Sequence, residues 1–157
     1  MTSRPRWKNS TITDGCRRHT RILNRGARRV TLILDAGGIS ALAGQRARLI
    51  ELRHRGLWPA QVPSVVLAEA LTGDHRRDYH ANRLVRACQI PDVTEPHARE
   101  AARLRTATGR PGTIAAIDAI VAAYASTCPN PIVLTSDARD LAALSEHAAR
   151  PITVARG

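Results

Sequence analysis

From Val30 onward, short apolar runs alternate with longer stretches of helical spacing, and this alternation constrains the fold more than any other feature of the chain. VTLIL (Val30 to Leu34) is apolar on both faces of an extended segment, as a strand in the middle of a parallel sheet must be. IVLT (Ile132 to Thr135) has the same character, and ITV (Ile152 to Val154) reads as a short last strand. Gly37 and Gly38 read as the turn after the first strand, with a helix from Ser40 to Gly56. Trp58 to Val62 reads as a short second strand, and Pro63 opens a helix to about Leu71, stopped by Gly73. An amphipathic helix follows over DHRRDYHANRLVRACQ, then a weak strand near Ile90 to Val93 and a helix from Glu95 to Thr108. Thr113 reads as the N-cap of a helix from Ile114 to about Ser126, and DARDLAAL as the last helix. Strands separated by helices pair in parallel, so the expected fold class is α/β: four to five parallel strands with helices on both faces.

The 157 residues amount to one domain, and no apolar run is long enough to read as a membrane span. The three cysteines, Cys16, Cys88 and Cys128, are far apart and form no Cys-x-x-Cys pair, which fits a reducing cytoplasm better than a disulfide framework or a zinc site. The net charge of +11 is unevenly spread: residues 1–29 hold nine of the 24 Lys+Arg and one of the 13 Asp+Glu. That segment lacks helical or strand periodicity and reads as a flexible basic arm ahead of a domain over 30–157. A translation start near Val30 is the alternative account of it.

Most acids lie among Arg and His, where water reaches them. Asp35, which closes the first strand, Glu69 in VVLAEAL, Asp118 in IAAIDAIVAA and Asp137 after IVLTS do not. Taken singly, Asp35 reads as a turn former and Asp137 as an N-cap. Glu69 and Asp118 interrupt apolar helical stretches, where a buried carboxylate needs a partner. Asp140 follows Asp137 by three residues, on the same helical face. In parallel sheets, ligands bind beyond the carboxyl ends of the strands, and Asp35 and Asp137 fall at two such ends. Two carboxylates about 5 Å apart repel by about 3 kcal/mol at an effective dielectric near 20, so a cluster of four calls for protonation or a cation. An all-oxygen set selects Mg²⁺ or Mn²⁺ over zinc, and such ions at a sheet end suit metal-assisted phosphodiester hydrolysis.

Other chemistries lack their residues. The sole lysine is Lys8, so a P-loop is excluded and lysine-assisted phosphoryl transfer to aspartate is disfavoured. DAGGIS is not a dinucleotide-binding glycine loop, and no G-x-S-x-G elbow occurs. Asp74, His75, Asp78 and His80 read as a solvated helix face rather than a metal site, and Trp58, Tyr79 and Tyr124 are too scattered for base stacking.

In order along the chain, LILDAGGISAL, VPSVVLAEAL, DAIVAAYA and VLTSDARDL resemble the PIN-domain nucleases, most closely the VapC-type toxins of bacterial toxin–antitoxin pairs. The resemblance runs from about Val30 to Val154 and implies a PIN-like three-layer sandwich. It carries the metal-binding acids of that family onto Asp35, Glu69, Asp118 and Asp137, with Asp140 matching a fifth acid and Thr135 and Ser136 the polar residues before the fourth. It further implies a Mg²⁺- or Mn²⁺-dependent endoribonuclease acting on structured RNA such as tRNA or rRNA, commonly a homodimer, and silenced by a VapB-like antitoxin that obstructs the acidic pocket. Two features depart from the pattern: Ala36 stands where a hydroxyl residue often follows the first acid, and the basic extension is unusual. Gly109, Arg110 and Gly112 form a loop before the Asp118 helix that is placed to approach RNA. Two other classes fit parts of the sequence: a noncatalytic nucleic-acid-binding protein working through its arm, and a metal-dependent phosphatase for small substrates.

Overall fold

The structure, a computed structural model, describes residues 29–157; the arm expected over 1–29 lies, apart from Arg29, outside the described residues. The sheet is parallel in the order β1 (Thr31–Leu34), β2 (Pro131–Thr135), β3 (Thr153–Arg156). In register, Leu34 pairs with Leu134 and Thr135 with Arg156, which brings the carboxyl ends of all three strands to one rim. Beyond β1 the sheet continues through single parallel bridges, Ile33 to Gln61 and Gln61 to Gln89. Gln61 N donates to Leu32 O (2.8 Å), Leu34 N to Gln61 O (2.9 Å) and Val62 N to Gln89 O (2.9 Å). Where weak strands were expected, near 58–62 and 90–93, the chain makes single bridges at Gln61 and Gln89, so among the described residues the sheet has three full strands rather than four to five. Pro59, Pro63 and Pro91 offer no N–H to a longer ladder.

The helices are α1 (Ala36–Leu42), α2 (Arg46–His54), α3 (Leu67–Ala70), α4 (Tyr79–Val85), α5 (Glu95–Ala107), α6 (Ala116–Ala125) and α7 (Ala138–Ser145), with a 3-10 turn at Ser64–Val66 leading into α3. Around α1 gather α2, α3 and α4; around α6 gather α5 and α7; and both α1 and α6 rest on β2. This is the layered α/β arrangement expected from the sequence. The core between the layers is aliphatic, with Ile33, Leu34, Ile39, Val66, Leu104, Val121, Val133 and Leu144 all buried.

Several boundaries differ from the sequence reading for local reasons. The helix expected over Ser40 to Gly56 is two helices, because Gly44 adopts a left-handed φ of 80° between them. Gly37 and Gly38 belong to the first turns of α1 rather than to a free turn. The expected helix over DHRRDYHANRLVRACQ shrinks to α4. Its N-cap residue Asp78 is buried, and its carboxylate accepts from Thr72 N, Thr72 Oγ1 and Gly73 N at 2.9–3.1 Å. Asp78 is therefore a structural tie, not part of a solvated face. Thr113 does not cap α6; its hydroxyl donates to Arg110 O (3.2 Å) and Ala115 holds the cap position. Among the described residues Cys88 is a free thiol, and no helix is long and apolar enough to cross a membrane.

Candidate active site

The site is built at the rim where β1 and β2 end. Asp35 follows β1 directly and caps α1, its Oδ1 accepting from Gly38 N at 2.6 Å. The turn can be this tight because α1 starts flush against β2. A Cβ at Gly37 would stand 2.5 Å from Ser136 N, and one at Gly38 would overlap the Leu134 carbonyl. Asp35 is 6% exposed. Burial pushes its carboxyl above the usual range, while hydrogen bonds from the Thr135 hydroxyl and the Gly38 N–H offset part of that rise.

Thr135, the buried last residue of β2, joins the two strand ends. Its hydroxyl donates to Asp137 O (3.1 Å) and accepts from Asp137 N (3.0 Å), and it lies beside the Asp35 carboxylate, whose charged form it favours. Asp137 caps α7, with Oδ1 accepting from Arg139 N at 3.1 Å, and its side chain lies at the exposed mouth. Asp140, one turn into α7, faces Arg110 across 3.9 Å.

Asp118 occupies the first turn of α6 and is partly buried. Burial is the largest cause lifting its carboxyl to about 6, followed by repulsion from Asp35, Glu69, Asp140 and Asp137. The field at Asp118 therefore reports the other four acids singled out in the sequence, one from the end of β1, one from α3 and two from the start of α7. Glu69 departs from its expected setting. Its helix is a single turn, and its side chain is exposed rather than enclosed in an apolar helix.

The donor set is carboxylate oxygen throughout, the chemistry that suits a hard divalent cation. As the side chains stand, no group of three or more His, Cys, Asp or Glu among the described residues is arranged to hold one ion. Gathering a metal would thus require the exposed Glu69 and Asp137 to turn inward, toward Asp35 and Asp118. Thr135, which the resemblance matches to the polar residues before the fourth acid, also stands beside Asp35, and Arg110, expected in a loop placed to approach RNA, is brought to Asp140.

Fold and rim together define an α/β domain with the fold of the PIN-type proteins, which bears out the resemblance carried by the four motifs at the level of fold. A chain of the DNA-bound VapBC from Salmonella typhimurium superposes with a TM-score of 0.61 at 15% identity, over 82% of this chain and 98% of that one. VapBC2 from Rickettsia felis, bound to a DNA fragment from its promoter, gives 0.57 at 16%, over 82% and 99%. PAE2754 from Pyrobaculum aerophilum gives 0.54 at 18%, over 79% and 83%. The sequence itself matches no family model and no curated protein.

Proposed function

We propose that this chain is a Mg²⁺- or Mn²⁺-dependent endoribonuclease of the VapC type, cutting structured RNA and restrained by a VapB-like antitoxin. The observation that carries the reading is that four other carboxylates, Asp35, Glu69, Asp137 and Asp140, act on Asp118 at the carboxyl end of a parallel sheet. The likeness of fold to chains of VapBC assemblies supports the toxin assignment. A homodimer is part of the same reading.

Asp35, Asp118 and Asp137 would hold the cation, with Asp140 beside them. When bound, it supplies positive charge that acidifies an attacking water and offsets the charge on the phosphoryl oxygens. Asp35 contributes a carboxylate whose direction is set by the Gly38 N–H. Glu69, exposed at the mouth, is free to take the proton from the water through a carboxylate oxygen. The water oxygen bonds phosphorus, the bond from phosphorus to O3′ breaks, and O3′ takes up a proton. The products are a 3′-hydroxyl and a 5′-phosphate.

The test is incubation of wild type and Asp118→Asn with end-labelled total RNA in Mg²⁺, Mn²⁺ or EDTA. Discrete cuts are expected from wild type with metal, and none from the variant or in EDTA, with unchanged circular dichroism. Equal cutting by the variant removes Asp118 from the chemistry. Turnover of a chromogenic phosphomonoester with intact RNA would point instead to a small-substrate phosphatase.

A further inference from the structure

The loop between α5 and α6 carries a cation to the acid-lined rim on a braced backbone. Arg110 N donates to Thr108 Oγ1 (3.3 Å), while Arg110 O accepts from Thr113 N (3.1 Å), Ile114 N (3.3 Å) and Thr113 Oγ1 (3.2 Å). The next residue is held as well, since Arg105 Nη2 donates to Pro111 O. Gly109, with a φ of 69°, makes the reversal that turns the loop toward α7. The guanidinium at the end of this support is only loosely paired. Its Nη2 stands 3.9 Å from Asp140 Oδ1, beyond hydrogen-bond length, and among the described residues no hydrogen bond engages it. Arg99 and Arg103, by contrast, close on Glu95 and Glu100 at 2.7 Å. Among the described residues, Arg110 is the cation that forms an ion pair with the group of five acids.

A fixed stem with an open planar fork beside a carboxylate cluster suits a substrate that is itself a planar-recognised anion. Carboxylates and any cation they hold can address one side of a phosphodiester. A guanidinium across the rim addresses the non-bridging oxygens that remain. Resting on the nuclease reading above, we propose that Arg110 contacts a phosphate of the RNA at the cleavage site, Asp140 keeping its guanidinium in place until the substrate arrives.

The test compares wild type, Arg110→Ala, Arg110→Gln and Asp118→Asn on an oligoribonucleotide spanning the main cut mapped in total RNA, with Mn²⁺ affinity measured by calorimetry and folding by circular dichroism. Both Arg110 variants are expected to lose roughly tenfold to a hundredfold in kcat/KM, the range of one lost Arg contact to nucleic acid, while binding Mn²⁺ as tightly as wild type or more so. Wild-type rates in a folded Arg110 variant overturn the assignment. So does a loss of rate that tracks weakened Mn²⁺ binding, since Arg110 would then act only by positioning Asp140. If Asp118→Asn also cuts normally, it is the metal-nuclease reading that fails; if Asp118→Asn is dead and the Arg110 variants are fully active, only the Arg110 contact fails.

Discussion

Asp118 sits where its charge is least welcome, and this gives it two measurable properties. A carboxyl raised from 3.8 in the unfolded chain to about 6 in the fold binds its proton more tightly when folded. Its charge thus costs nothing at pH 3, costs progressively more as pH rises through the window from 3.8 to 6, and costs fully above it. Replacing it with Asn is expected to raise the melting temperature of the metal-free protein at pH 7.5 by about 3 °C, from about 1 kcal/mol after solvent screening. The gain should vanish near pH 3.5 in the same scanning fluorimetry. Because a metal must displace that proton, Mn²⁺ affinity is expected to fall about tenfold for each pH unit below 6, read by calorimetry. Thr135→Val tests the bridge between strand ends. It removes the hydroxyl that bonds Asp137 O and N and favours the Asp35 charge, and a loss of about 1–3 kcal/mol in urea unfolding is expected. An unchanged unfolding midpoint would show that Thr135 does not bind these ends together.

At the scale of elements, the acids are only as well placed as the seam between α1 and β2. Gly38→Ala would drive a methyl group into the Leu134 carbonyl, which is backbone and cannot step aside. A loss of about 2–3 kcal/mol is expected, with Mn²⁺ binding weakened because Asp35 leaves its cap. Preserved stability would mean that the seam has slack. Much of this level was legible in the sequence: every expected helix and strand segment has a counterpart, and the four acid motifs fall at the rim. What was not legible came from contacts distant along the chain. The α1 start was read as a glycine turn because its reason, the closeness of Ser136 and Leu134, lies about a hundred residues away. Asp78 is the local exception: Thr72 and Gly73, which bond its carboxylate, are only five to six residues away, but they belong to a loop whose path no periodicity reveals.

For the whole molecule, the question is how the basic segment and the acidic rim divide the work. If the rim performs the chemistry, a chain lacking residues 1–28, which keeps the bond from Asn130 Nδ2 to Arg29 O, is expected to retain Mn²⁺-dependent cutting. Its RNA binding should be weaker and its dependence on salt shallower, by about the number of phosphate contacts removed. A truncated chain that folds yet neither binds nor cuts would favour the noncatalytic nucleic-acid-binding alternative.

The order of apolar and helical segments, written locally in side-chain pattern and glycine placement, was enough to determine a parallel α/β sheet and which acids stand at its carboxyl end. Tertiary structure alone decided how those acids differ from one another: Asp35 buried and braced, Asp118 partly buried with its carboxyl raised to about 6, Glu69 and Asp137 open to water. The physical reason is that a carboxylate's energy depends on solvent exposure and on charges a few ångströms away, and both are set by elements that meet only when the chain has folded.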